Sequence, residues 1–323
     1  MRAATFFDGA RWRDGVVDVD GDGRMLLRGE PAASALPRIE GVIVGGFTDH
    51  HVHLQLVEHE RLTGSRLGRV VDLGADPGVV ASYGGARRTD ETRRATRIEY
   101  AGAFLTARGG YPSDREWAPA GSVREIADAG QATAAVAEMA AAGASCIKVA
   151  SNSAAGPVFS DELVRVVVDA ASARGLPVVV HAQGRGEAQR VVRLGARSLA
   201  HAPFTERLSD DEIAEQAASV SWISTLSIHG GADLHVAVDN VRRFHAAGGR
   251  LRYGTDMGNG PTPVDLHDLE LAALRQAGID GTALLNSLAP VDPLDPASVL
   301  LVLPHRDAHP TLARPLTTAD LEA

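Results

Sequence analysis

The chain has 323 residues, 45% hydrophobic and 23% charged, an ordinary globular balance with room for one large domain, or a large one with a small appendage. Its formal net charge of −9 argues against a broad nucleic-acid surface, and no apolar run approaches the roughly 20 residues that a membrane helix needs. Cys146 is the single cysteine, so an internal disulfide and a cysteine-based zinc site are both excluded. The start, Met1 to Asp8, meets an acid and a glycine too early for a secretory signal, and a cytoplasmic location is expected.

Residues 1–45 predict a small antiparallel unit. Ala4–Phe7, Gly15–Val19 and Arg24–Leu27 are short strand patterns separated by Gly, Asp and Pro clusters. From there the rhythm changes to apolar runs alternating with helical patterns. Eight strands are predicted: Val42–Val44 running on to the His51 region, Val70–Leu73, Arg97–Tyr100, Cys146–Val149, Pro177–His181, Ser198–His201, Trp222–Leu226 and Leu251–Thr255. Helices are expected over 131–142 with Gly143 as its stop, from Ser160 to near Gly175, after the capping box at Ser209–Glu212, and over 236–247 and 264–277. Continuous apolar strands alternating with helices indicate a parallel sheet, and eight such units fit a (β/α)8 TIM barrel over 46–288. A doubly wound open sheet is the fallback. The Pro-rich tail, 289–323, holds one strand-like run, Val299–Leu303, expected to return to the N-terminal strands and complete a small, reduced β domain.

In such a barrel the chemistry sits at the C-terminal ends of the strands. The first strand ends in Asp49-His50-His51-Val52-His53, whose second and third histidines share one side of a strand and can reach one metal ion. Lys148 is on strand four, while His181, His201 and Asp256 end strands five, six and eight. Taken singly, each has a structural reading: a hydrogen-bonded histidine, a turn-capping aspartate, a salt-bridged lysine. The conjunction of six ligand-type residues at five strand ends, in a chain of 12 histidines, points to metal binding. All but one of the 32 basic residues are arginine, and Lys148 is the sole lysine. Six other histidines, His59, His235, His245, His267, His305 and His309, are expected to be surface or structural residues.

These residues carry a resemblance. Gly45-Gly46-Phe47-Thr48-Asp49-His50-His51-Val52-His53 resembles the first-strand motif of the amidohydrolase superfamily. Lys148, Val180-His181-Ala182-Gln183, Leu199-Ala200-His201 and Gly254-Thr255-Asp256 follow in the family's order. Val70–Ala75 and Arg108-Gly109-Gly110-Tyr111-Pro112 resemble the branch of imidazolonepropionase-like hydrolases and lysine-bridged, prolidase-type dipeptidases. The resemblance covers nearly the whole chain. It implies that His51, His53 and Asp256 bind one metal, that His181 and His201 bind a second, and that Lys148, carboxylated on its amine, bridges both. Only a neutral primary amine can form that carbamate, which arginine cannot replace. Zinc is the expected metal, with manganese, nickel and iron also suited to these ligands.

The implied activity is hydrolysis of a C–N bond (amide, cyclic amide or peptide) in a small molecule by a hydroxide shared between the metals, with Asp256 as the proton shuttle. Tyr111, Gln183, His229, Tyr253 and Asn259 are the candidate substrate contacts. Three departures from the family pattern matter. Gly45 stands where proline is usual, and Gln183 and Tyr111 stand where histidine is common, so relatives' substrates do not transfer. Other readings stay open: a lactone, ester or phosphoester hydrolase of the same fold, a mononuclear deaminase, or a non-catalytic ligand binder. Neither a nucleic-acid nor a membrane partner is expected, and the sequence leaves homo-oligomerisation open.

Overall fold

The computed structural model describes residues 1–21, 23–85 and 96–322. In chain order its strands are β1 (Arg2–Phe7), β2 (Trp12–Val19), β3 (Met25–Arg28), β4 (Val42–Gly45), β5 (Phe47–Val52), β6 (Leu67–Asp72), β7 (Arg97–Tyr100), β8 (Phe104–Ala107), β9 (Val123–Ile126), β10 (Ile147–Asn152), β11 (Val178–Gln183), β12 (Ser198–Leu199), β13 (Ser221–Ile223), β14 (Arg250–Arg252), β15 (Leu300–Leu303) and β16 (Arg314–Pro315). The main helices are α1 (Pro77–Gly85), α2 (Ala129–Ala141), α3 (Asp161–Ser172), α4 (Glu187–Arg193), α5 (Asp210–Ser219), α6 (Gly231–Ala246), α7 (Asp268–Gln276) and α8 (Gly281–Leu288). Among the described residues no helix is long and apolar enough to cross a membrane.

The architecture is a TIM-type barrel with a smaller mixed sheet. Strands β5-β6-β7 pair in parallel, as do β14-β13-β12-β11-β10-β8-β9. The two arcs join at the third position, where β7 pairs with β6 and β8 pairs with β10. They join again between the first and eighth positions. There His50 N–H donates to Tyr253 O (3.0 Å), and His53 N–H donates to Met257 O (2.7 Å). Helices cover the outside because their apolar stripes need burial. On α3, Val164, Val167 and Ala171 face inward at helical spacing, and on α6 Phe244 stacks on Trp222 of β13 with centroids 3.8 Å apart.

The sequence reading and the structure differ at the strand ends. The expected single run from Val42 to His51 is two strands in different sheets. β4 pairs with β1 and antiparallel with β15, whereas β5 opens the barrel. The break falls at Gly45-Gly46, where backbones crowd: a Cβ on Gly46 would stand 2.6 Å from Gly68 Cα. The third barrel position is likewise split, and β8 and β9 lack the β-branched runs that announce a strand. Strands six, seven and eight are shorter than expected, because the backbone leaves the ladder before His201, at Thr225 and before Asp256. Thr225 and Asp256 adopt φ of 42° and 54°, which no strand tolerates. The caps at Ser160 and Ser209 behave as read, each accepting from a first-turn amide, and Ser209 with Glu212 forms the reciprocal box; Asp128 caps α2 in the same way, two residues before the expected start of that helix.

Gly46→Ala should cost about 1–3 kcal/mol of stability, the usual range for forcing a methyl into packed backbone. Urea unfolding would register it as a lower midpoint with an unchanged slope.

Candidate functional site

A cavity of about 450 Å³ opens above the C-terminal strand ends. Its floor is built by three donors that converge. His51 and His53 leave β5, whose register shifts between Asp49 and Val52. Their Nε2 atoms both lie 3.1 Å from Asp256 Oδ1. All three residues are buried, and their ligand atoms fall within 4.8 Å of one another. Gly254 makes room for this approach, since a Cβ there would stand 3.2 Å from His51 Cβ.

The hydrogen bonds behind these atoms fix which way each donor faces. His51 Nδ1–H donates to Ala200 O (2.8 Å) and His53 Nδ1–H donates to Gly74 O (3.1 Å). A carbonyl only accepts, so each neutral ring carries its proton on Nδ1 and aims a bare Nε2 lone pair at Asp256. Two nitrogen lone pairs and a carboxylate oxygen facing each other repel unless a cation lies between them. Without a metal, a proton on His53 serves. A divalent cation satisfies all three donors at once, so the residues fit a metal ion.

Asp256 is held for this role. Asn259 Nδ2 donates to its Oδ2 (2.8 Å), leaving Oδ1 for the histidines, and its left-handed backbone is a conformation that aspartate accepts more readily than most residues. One residue back, Thr255 is pinned to Asp49 by N–H (3.2 Å) and by Oγ1 (2.6 Å), while His51 N–H donates to the same carboxylate (3.0 Å). Asp49 thus ties the first and eighth strands together beneath the donors.

The other expected ligands lie beside this cluster. The His201 ring is 4.8 Å from that of His51 and 4.7 Å from that of His181. His201 Nδ1 bonds Thr225 Oγ1 (2.9 Å), which leaves Nε2 free. His181 Nε2 donates to Gln183 Oε1 (3.1 Å), an oxygen that also accepts from Asn152 (2.7 Å), so its free lone pair is on Nδ1. Lys148, 1% exposed, places Nζ 3.4 Å from His51 Nε2. Among the described residues, the one group of three or more His, Cys, Asp or Glu with metal-ligand geometry is His51, His53 and Asp256.

Burial sets the protonation states. It lowers Lys148 to about 8 against the pull of Asp256, and lowers His181 to about 4, with Lys148 adding to the effect. Burial and Lys148 take His51 well below its ordinary value; burial and His181 do the same to His201. His53 moves upward because the hydrogen bond and charge of Asp256 outweigh its burial. Asp256 goes well down because His51 and His53 outweigh its own burial. Three of the four histidines are therefore neutral at pH 7, the state in which imidazole ligates metal.

Tyr111, Gln183, His229 and Asn259 line the cavity. Tyr253 does not, which corrects the expectation for it. Its side chain is fully buried, and its hydroxyl accepts from His267 N–H (2.8 Å) at the start of α7. Sequence reading also missed an aromatic wall of Phe104, Trp117 and Phe204, together with Asp233. Trp117 is 41% exposed, and Phe204 lies 4.1 Å from the His229 ring. Asp72, at the end of β6, accepts from Leu54 N–H (2.7 Å) and Gly74 N–H (2.9 Å) and shapes the turn after His53. Its place at the end of an apolar strand was the available signal.

Comparison with solved structures finds this fold in several enzymes. A Xaa-Pro dipeptidase with bound methionine in its active site superposes with a TM-score of 0.70 at 19% identity, over 95% of this chain and 93% of that one. A. niger ochratoxinase gives 0.71 at 16%, over 98% and 95%. Phenylurea hydrolase B gives 0.65 at 17%, over 93% and 90%. At these identities the likeness is one of fold. No family model matches the sequence, and no curated protein does.

Asp49 yields a test of the site's electrostatics. Burial pushes its carboxyl up to about 7, outweighing the hydrogen bonds it accepts, from an ordinary value of 3.8. Between those values the fold keeps a proton that the unfolded chain releases, so stability falls as pH rises from about 4 to about 7. Asp49→Asn should flatten that part of the stability–pH curve measured in chelator. An unchanged slope would show that Asp49 is not the group responsible.

Proposed function

We propose that this chain is a binuclear metal-dependent hydrolase that cleaves a C–N bond, amide, cyclic amide or peptide, in a small molecule. His51, His53 and Asp256 would hold one ion, His181 and His201 the other, and Lys148, carboxylated, would reach both. The observation that carries the reading is convergence: donors more than two hundred residues apart in sequence meet at the floor of one cavity, with their lone pairs turned inward. The fold shared with dipeptidase, ochratoxinase and phenylurea hydrolase supports it.

Bound there, zinc, or manganese, nickel or iron in its place, supplies Lewis acidity that acidifies water and polarises a carbonyl. The chain's own residues do the rest. Asp256 would accept a proton during attack and pass it to the departing nitrogen, its carboxylate held in place by Asn259. Lys148 is prepared for carboxylation by burial: at a pKa of about 8 a useful fraction of the amine is neutral near pH 7. That nitrogen would attack carbon dioxide and lose a proton to give the carbamate, whose negative charge the bound cations would offset. Tyr111, Gln183 and His229 face the substrate, and Phe104, Trp117 and Phe204 give its apolar part a surface. Asp233 at the same wall favours a substrate presenting N–H groups there.

A one-metal enzyme is the second reading, because three donors form a tight group at His51, His53 and Asp256. Elemental analysis separates the two, with two metals per chain expected and one per chain favouring the alternative. Lys148→Met should drop the metal content to one or fewer and remove activity. Asp256→Asn should cut turnover at least 10²-fold, within the range for loss of a general acid–base, while metal stays largely bound; unchanged turnover removes Asp256 from the mechanism. The assay is a panel of acylated amino acids, dipeptides and cyclic amides beside lactones, esters and phosphoesters, and turnover confined to the second group would overturn the C–N assignment.

A further inference from the structure

The barrel has a second cavity at its opposite, N-terminal end. Its volume is about 490 Å³, and it shares no lining residue with the one above the strand ends. An apolar layer of Leu73, Ala101, Cys146, Val179, Ala200 and Ile223 fills the barrel interior beside it. Cys146, Val179 and Ile223 form part of the cavity's wall, and Cys146 immediately precedes β10, which carries Lys148 of the upper site.

The charges around this lower cavity are unbalanced. Arg197, Arg250 and Arg252 line it, and among the described residues Glu99 is the one carboxylate that does. Glu99 is already engaged, 3.0 Å from Arg97 and 3.9 Å from Arg69. Arg252, on the last barrel strand, is half-buried and forms no ion pair among the described residues, and its Nε is buried with no hydrogen-bond partner among them. Arg69 Nε is orphaned in the same way, although another nitrogen of Arg69 donates to His50 Nε2 (3.4 Å). Burial, then Arg69 and Arg250, hold the Arg252 guanidinium below its ordinary range against the pull of Glu99. The carbonyl end of α5 also borders the cavity at Ala217–Ser219, and its dipole offsets only a fraction of one charge. A chain of net charge −9 has thus gathered three guanidinium groups around one pocket, and the most buried of them has no direct ion-pair partner among the described residues, with Glu99 acting on it only at longer range. An arginine fork presents paired N–H donors whose natural complement is a planar or tetrahedral oxyanion.

We propose that this lower cavity is a binding site for a small oxyanion, with Arg252 as the principal ligand and Arg250 and Arg197 at its rim. The chemistry recognised is a phosphate or carboxylate group, free or carried by a small metabolite, and the cavity volume admits a molecule larger than the inorganic ion. Occupancy pairs the Arg252 charge and fills donors that the protein itself leaves open. The site stands independently of the hydrolase reading, because none of its residues belongs to the upper cavity.

The test is thermal unfolding of the metal-loaded protein in inorganic phosphate against sodium chloride at matched ionic strength. A ligand that binds the native state raises the midpoint in a saturable way. The expected result is such a rise with phosphate, an apparent affinity at least tenfold weaker in Arg252→Met, and an intermediate loss in Arg250→Met. Should Arg252→Met fail to fold, Arg250→Met and Arg197→Met carry the comparison. Equal responses to phosphate and chloride overturn the proposal. So does a saturable phosphate response that survives in every arginine variant and disappears in His201→Ala, which would place the anion at the upper site.

Discussion

Two imidazole nitrogens, each 3.1 Å from one carboxylate oxygen and all three lone-pair donors, converge between the first and eighth positions of the barrel. Such an arrangement is unstable alone, because burial removes the water that would otherwise separate like partial charges. Much of the surrounding structure makes sense as what holds it. The carbonyls of Ala200 and Gly74 fix the rings from behind. Asp49 binds the two strand ends together through Thr255 and the His51 amide. The strained backbone at Thr225 and Asp256 persists because those residues are tied to His201 and Asn259. Local strain held in place by its neighbours is characteristic of a prepared site.

The barrel supplies what this site requires of a scaffold. Parallel strands deliver their C-terminal ends to one rim, so residues remote in sequence become neighbours. The last three strands are short because their residues are needed beyond the ladder: His201, Thr225 and Asp256 all lie past the final paired position. The hydrogen bonds that close the barrel are made at this same rim, by the backbones of His50, His53 and Met257. Closing the fold and assembling the donors are therefore one event, which couples metal affinity to folding.

Much of this was legible in the sequence, and the reasons are local. A His-x-His pair on a strand has a fixed geometry, and a lone lysine among arginines stands out without any structure. The caps at Ser160 and Ser209 have side-chain signatures that tertiary packing did not override. The misses have physical causes as well. Tyr253 is adjacent in sequence to Arg252 and Gly254, and strand alternation turns it to the helix side; applying that period would have removed it from the substrate contacts. Trp117 and Phe204 sit on loops, where no periodicity points to their destination. The break at Gly45-Gly46 depends on Gly68 and Val291, residues that sequence order does not bring near.

The solitary lysine carries one more consequence. An endoproteinase specific for lysine has a single cleavage point in this chain, the bond after residue 148. That bond lies within β10, buried and paired on both sides. Cutting it requires β10 to part from β8 and β11, which opens the barrel. The appearance of two fragments of nearly equal length would therefore clock global opening of the molecule, without a label or an introduced site.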